Sequence, residues 1–402
     1  VSKLAPVIPA LSNESQLKRR IRAHLHSLGY EKNPVGAFVL PTDQKDSIRA
    51  AHAAHRLDVL RKNNRFVGRE YPKLKHYFAH GDEVVPELVT PRLELIKAGT
   101  WQSNLFRLAS LTWSVPVSSG FGRRLRYLVW DESNGKVMGL VALGGPVFNL
   151  KARDSHIGWD AEARRRRLVN VLDAYVLGAL PPYNSLLCGK MVACLIRSAE
   201  VRRDFETKYG ASVGIISREY KSPKLVMVTT SSALGRSSVY NRLQLEGENY
   251  FRSVGYTQGW GHFHCSDELF EELRGYLRQS GHKYVDAHRY GDGPNWRMRI
   301  IRAAFDALGL GGNLLRHGIR RETFVSKLAA NASEILRGEE TTPNFRDLKS
   351  VVDIGELAKS RWVIPRSKRR PDFTEWRVEK IGELISTSQI YAREPNKRGL
   401  FV

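Results

Sequence analysis

Asp154 and His156 stand two residues apart in RDSHIGWD, a carboxylate and an imidazole near enough to share acid–base work. Arg153 beside them, Trp159 just beyond, and the run Arg164, Arg165, Arg166 and Arg167 add an aromatic plane and cations that suit bases and phosphates. Four consecutive arginines cannot all turn inward, and phosphate oxygens are their natural partners. The competing reading is an Arg153–Asp154 ion pair with Trp159 in the core, ahead of a solvated basic helix capped by Asp160.

A second group follows the apolar run LVMVTT: Arg236, Ser237, Tyr240, Asn241 and Arg242. Polar groups just past the C-terminal end of a strand are well placed for a site in an α/β sheet. Ser237 or Tyr240 would be the nucleophile and Asn241 a polar partner, with Arg236 and Arg242 holding a phosphate. Otherwise the segment is a turn with capping serines and a core tyrosine. A third group is His317 with Arg316, Arg320 and Arg321 in RHGIRRE, either an anion site or a helix start with surface arginines. Lys190, Tyr256, Trp296 and Arg297 complete the basic and aromatic residues suited to nucleic acid.

His262 and His264 alternate ahead of Cys265. Two candidate ligands at i and i+2 lack a third nearby, so no metal is assigned. Neither G-x-x-x-x-G-K-[ST] nor H-E-x-x-H occurs, which leaves no motif for a motor ATPase or a zincin. No cofactor is expected, and Mg²⁺ enters only if the chain is a nuclease.

The balance of charge favours a polyanionic partner. Lys and Arg total 64 against 41 Asp and Glu in 402 residues, a formal net charge of +23. The first hundred residues hold 17 basic and 10 acidic side chains, so most of the excess lies beyond them rather than in a basic arm. Three cysteines without a CxxC pair give no disulfide framework or zinc ribbon. No apolar run approaches the roughly 20 residues of a membrane span, and the first residues do not read as a signal peptide. A cytoplasmic protein that does not enter membranes is expected.

The elements that must hold these groups are legible in outline. Leu17, Ile21, Leu25 and Leu28 mark a helix, and a second is expected from Thr42 to about Leu60. Thr90-Pro91 reads as a third helix start. Arg124–Trp130 and Val137–Leu143 flank a turn as a hairpin. AEARRRRLVNVLDAYV is expected to be one helix, followed by a strand Val176–Leu180 and a long helix over residues 189–209. Further strands are expected at Val213–Ser217, Leu225–Thr230 and Gly255–His264, with helices at 266–279 and 294–308 and helical or irregular structure to the end. The result is an α/β fold: a helical region over 1–110, a mixed-sheet core over 111–285 with its strands at about 120–265, and a helical or irregular region over 286–402.

Several longer runs carry a resemblance: SSGFGRRLRYLVWD, VALGGPVFNLKARDSHIGWD, AYVLGALPPYNSLLCGKMVACLIRS, TTSSALGRSSVYNRL, GYTQGWGHFH and GPNWRMRIIRAAFDALGLGGNLLRHGIRRETFVSKLA. Over roughly residues 110 to 340 the chain resembles the DruA family of the Druantia anti-phage defence system. This implies a prokaryotic defence component acting beside a large helicase. Beneath it, the hairpin, strand, PPYNSLLCGK loop, long helix and ENYFRSVGYTQGWG are similar to the core of Gcn5-related acyltransferases. That likeness implies a splayed strand pair and a helix N-terminus facing a pyrophosphate. The Gln/Arg-x-x-Gly-x-Gly/Ala loop of those enzymes is absent, and Asn184–Lys190 holds one glycine, so a degenerate fold without a working coenzyme A site is expected.

Three functions remain in competition. The preferred one is a defence protein that binds DNA through basic and aromatic surface, with a helicase partner and room for oligomerisation. The second is a nucleic-acid-cleaving or base-modifying enzyme whose site joins 153–159, 236–242 and 316–321. The third is an acyltransferase-type enzyme.

Overall fold

The computed structural model describes residues 12–34, 38–39, 45–117, 122–213, 220–259, 261, 265–282, 285, 294–310, 312–315 and 317–387. The chain divides into two compact units, one of residues 1–55 and 258–320, the other of 56–257 and 321–402. These differ from the three consecutive stretches expected, because the chain leaves the sheet-bearing unit after residue 257 and returns at 321 to supply another strand.

That unit is built on a seven-stranded sheet of β1 (Pro91–Leu95), β2 (Arg124–Asp131), β3 (Lys136–Gly144), β4 (Val171–Ala179), β5 (Met227–Ser231), β6 (Arg252–Tyr256) and β7 (Glu322–Lys327). Their order across the sheet is β1-β2-β3-β4-β5-β7-β6. All neighbours are antiparallel except β4 and β5, which run parallel. The β2–β3 hairpin is as the sequence predicts, and the buried Asp131 carboxylate fixes its turn by accepting from the Ser133 amide at 3.1 Å and hydroxyl at 2.8 Å.

Helices cover both faces. α1 is Trp101–Ser110, α2 Lys151–Ile157, α3 Ala161–Arg167, α4 Cys188–Leu195, α5 Ala199–Tyr209 and α6 Val351–Ala358. On one face, Leu125, Tyr127 and Val129 of β2 join a core with Met191, Val192 and Leu195 of α4, Phe205 of α5 and Ile354 of α6. On the other, Leu128, Trp130 and Leu140 meet Leu105 and Leu108 of α1 with Leu60 and Phe66. A third cluster joins Val171, Met227 and Val325 to Ile157, Trp159 and Leu336. Alternation along each strand divides the side chains between these layers.

The other unit is helical. Asn13–Ser27, Asp267–Gln279 and Pro294–Ala307 contribute Leu17, Ile21, Leu25, Leu273, Leu277, Ile300, Ile301 and Phe305 to one core. Ser12 and Ser266 cap the first two, each hydroxyl accepting a first-turn amide at 3.2 Å.

Five expectations are corrected. Thr90-Pro91 opens the edge strand β1 rather than a helix, a place where the missing proline N–H costs no ladder bond. The helix expected through Val176 ends at Arg167, and Val171–Ala179 is a central strand. An apolar run buried on both faces does not separate strand from helix by periodicity. The helix over 189–209 is two helices, with Ser198 capping the second through the Val201 amide. ETFVSK near residue 322 forms β7, not helix or irregular chain, because its β-branched residues fill a slot between two strands. The strand expected at 213–217 is a two-residue pairing of Ser212–Val213 with Tyr220–Lys221, and residues 214–219 lie outside the described residues. His262 and His264 also lie outside them.

Candidate functional site

The parallel pair β4/β5 is joined over three residues only: Val171 with Met227, Leu172 with Val228, and Asp173 with Thr229. β4 runs on to Ala179 and β5 to Ser231. At the parting, Thr229 donates its hydroxyl to the Asp173 carboxylate at 2.7 Å and Thr230 donates to the Ala174 carbonyl at 2.8 Å. Farther along, the Tyr240 hydroxyl donates to the Leu177 carbonyl of β4 at 3.5 Å. Its ring stacks on Phe251 at 5.2 Å and meets the edge of Phe324 of β7 at 5.3 Å. Tyr240 thus sits where the two strands separate. Burial pushes its phenol up to about 12, which makes the oxygen a poor nucleophile at neutral pH.

Asp173 was not singled out by its sequence. Burial raises its pKa, while the Thr229 hydroxyl and the Arg153 guanidinium pull it back. Its signal in the sequence is one acid inside an apolar run, VLDAYVLGA, which has no spacing to mark it.

Glu322, also unmarked, organises the strand-end group. This carboxylate is 4% exposed and accepts from the Ser237 amide, the Asn241 side-chain amide and the Ser253 hydroxyl, each at 2.9 Å. The Ser237 hydroxyl accepts from the Val239 and Tyr240 amides at 3.2 and 3.0 Å, in the manner of a capping turn. Ser237 and Asn241 are therefore held by internal bonds, while Arg236 and Arg242 are exposed.

The group on α2 is an ion-pair cluster. Arg153, fully buried, donates to Asp154 at 2.8 Å and to the Val147 and Phe148 carbonyls at 2.8 and 2.9 Å. Asp154 also accepts from the Trp159 indole at 3.0 Å, from Arg164 at 3.2 Å and from the Leu150 amide at 3.0 Å. Trp159 is 8% exposed, with the Arg153 guanidinium over its ring, so this indole offers no open face to a base. Arg165 and Arg166 lie on the surface and pair with Glu162. Arg167 is half-buried. The His156 Nε2 is buried without a partner, and burial, then Arg252 and Lys327, hold its pKa below the ordinary imidazole value.

A different set of cations meets at the start of α4. Leu187 precedes the helix in a left-handed conformation at φ 62°, and Lys190 lies in the first turn. The Lys190 ammonium is 5.3 Å from the centre of the Trp362 ring. Its pKa is lowered first by burial, then by the positive charges of Arg242 and Arg361. These three cations come from segments far apart in the chain, and among the described residues none has an ion-pair partner. Cys188 and Cys194 in the same helix are buried, with thiols pushed up, and are not nucleophiles.

His317, Arg320, Trp296 and Arg297 belong to the helical unit. His317 is 4% exposed; its Nδ1 accepts from the Ile319 amide at 3.1 Å and its carbonyl from the Tyr30 hydroxyl at 3.1 Å. Arg297 is tied to Asp267 at 2.6 Å and to the Cys265 carbonyl at 2.9 Å. Trp296 meets Phe270 edge-on at 5.5 Å. Arg320 is exposed, and Arg316 lies outside the described residues. In the sheet unit, Tyr256 is 40% exposed and the Arg321 amide donates to the Thr257 hydroxyl at 3.1 Å. Among the described residues no group of three acidic, histidine or cysteine side chains is arranged to hold a metal ion.

Comparison with known proteins adds two findings. The family model described as Druantia protein DruA matches residues 42–338. The chain is 53% identical over 377 residues to the Druantia protein DruA of Escherichia coli strain UMEA 4076-1, covering 94% of this chain and 93% of that protein. No solved structure matches significantly.

Proposed function

The chain belongs to the DruA family, and from that premise we propose that it serves Druantia anti-phage defence in the cytoplasm by binding DNA through cationic surface, beside a helicase of the same system. The observation that carries the reading is that Lys190, in the first turn of α4, lies over Trp362 within the field of two further cations, Arg242 and Arg361. Cations brought together from three segments repel one another, and a phosphate backbone relieves that repulsion. The helix N-terminus adds a partial positive charge of the same sign. Exposed Arg236 extends the basic surface of the strand-end turn.

Binding is favoured over chemistry because Asp154, Ser237 and Asn241 spend their hydrogen-bonding capacity on internal partners. The strand order, with one parallel pair that parts beyond Asp173, supports a core like that of the Gcn5-related acyltransferases. In this reading Tyr240 fills the gap between the strands, and the fold serves without acyl transfer. No helix of the described residues is long and apolar enough to cross a membrane.

The test is direct. Labelled duplex and single-stranded DNA are titrated with the wild type and with a Lys190→Gln/Arg242→Gln/Arg361→Gln variant, with and without Mg²⁺. A shift that weakens in the variant supports the reading, as does co-purification with the helicase. Equal affinity of the two proteins would overturn it, and Mg²⁺-dependent cleavage would move the reading to a nuclease.

A further inference from the structure

Against the other face of the sheet from α4 lies a cavity of about 490 Å³, within the range of roughly 300–1,000 Å³ usual for small-molecule sites. Arg56, Arg107, Arg124, Arg126, Trp113 and Tyr175 line it, and no carboxylate does. Arg107 is occupied, donating to the Asn63 side-chain oxygen at 2.9 and 2.6 Å and lying over the Phe66 ring. Arg56 donates to the Leu384 carbonyl at 2.7 Å. Arg124 and Arg126 differ. They are two residues apart on β2, hence on one face, and neither side chain has a hydrogen bond or ion pair among the described residues; Arg126 lies over the Phe106 ring at 5.9 Å, which leaves its N–H groups without an acceptor.

Tyr175 of β4 lines the same cavity. Its hydroxyl is buried and has no hydrogen-bond partner among the described residues. A buried hydroxyl left unpaired is costly, so a native orphan beside free guanidinium groups marks a place where an acceptor belongs. Burial raises the phenol's pKa, and the positive charges of Arg126 and Arg124 oppose the rise, which places both cations near the oxygen. Trp113 is set against the backbone of Gly178: a side chain there would meet the indole at 3.3 Å, so the bare glycine lets the ring pack close to β4. The cavity therefore combines two unpaired guanidinium groups, one donor hydroxyl and a positioned aromatic wall.

We propose that this cavity binds a nucleoside monophosphate, its phosphate on Arg124, Arg126 and the Tyr175 hydroxyl and its base along Trp113. An inorganic phosphate would leave most of the volume empty, whereas a base fills it and gains stacking. The same chemistry is offered by a free nucleotide and by the 5′-terminal nucleotide of a strand. The site does not depend on the α4 cations, since it lies on the opposite face of the sheet.

Calorimetric titrations of the full chain with the four nucleoside 5′-monophosphates, adenosine and inorganic phosphate test the proposal. A parallel arm uses a short oligonucleotide carrying either a 5′-phosphate or a 5′-hydroxyl. At least one monophosphate, or the 5′-phosphorylated strand, is expected to bind about tenfold or more tightly than its form without phosphate. Binding of the monophosphates alone assigns the free nucleotide, and binding of the phosphorylated strand alone assigns the strand end. Arg124→Gln/Arg126→Gln should abolish the difference. Tyr175→Phe, which preserves the ring, should weaken binding about fivefold and decides the matter if the double variant does not fold. The Lys190→Gln/Arg242→Gln/Arg361→Gln variant should bind the monophosphate as the wild type does, even if DNA binding fails. Absence of phosphate-dependent binding, or an affinity unchanged in Tyr175→Phe, would overturn the proposal.

Discussion

The Thr229 hydroxyl donates to the Asp173 carboxylate at 2.7 Å, at the last paired position of the parallel strand pair in the seven-stranded sheet. Past that bond the strands part, and the edge of β4 is met by side chains: Thr230 at the Ala174 carbonyl and Tyr240 at the Leu177 carbonyl. A half-buried acid thus stands at the parting of the strands, and a half-buried phenol lies beyond it.

Asp173 makes stability depend on pH in a stated direction. Burial raises its folded-state pKa above the unfolded value of about 4, so the native state holds this proton more tightly. Its contribution is fully present below the unfolded pKa and is lost as pH rises through the folded one. Urea unfolding from pH 4 to 8 should show the wild type losing stability relative to Asp173→Asn as pH increases. Parallel curves for the two proteins would contradict this.

Tyr240 is expected to act through its ring. Its hydroxyl makes a long bond to the Leu177 carbonyl and is also engaged by the Thr230 side chain, so Tyr240→Phe should cost about 1 kcal/mol, whereas Tyr240→Ala leaves a cavity and should cost about 3–5 kcal/mol. The phenylalanine variant should also retain defence in a plaque assay. Loss of defence with stability and DNA binding intact would make the hydroxyl a chemical group.

Acetyl-CoA should not stabilise the protein. The loop before α4, residues 181–187, holds no glycine, Leu187 occupies the turn into the helix, and Tyr240 lies in the strand gap. Melting curves at millimolar acetyl-CoA should overlay those without it. An upward shift would show that the native state binds the ligand and would restore the acyltransferase reading.

Much of this architecture could be read from residue order, and what could not has physical causes. The β2–β3 hairpin was legible because both strands flank a turn ending in Gly135, whose φ of 69° favours glycine. Asp267–Gln279 was legible because its leucines recur at helical spacing behind a serine cap. β4 was hidden because a central strand carries apolar residues on both faces and so loses its alternation. Among site residues, the Arg153–Asp154 pair was foreseen as one of two alternatives. Asp173 and Glu322 were not, since a lone acid has no pattern until distant segments bring Thr229, Ser237, Asn241 and Ser253 to it. The meeting of Lys190 with Arg242 and Arg361 was invisible for the same reason.

The most direct test of the account is the affinity for duplex DNA measured by fluorescence anisotropy from 50 to 200 mM salt. If the cationic surface engages about six phosphates, log K should fall against log salt with a slope near −5, and the Lys190→Gln/Arg242→Gln/Arg361→Gln variant should flatten that slope by about 0.9 for each phosphate it no longer neutralises. An affinity that does not change with salt, or a slope the variant leaves unaltered, would contradict the account.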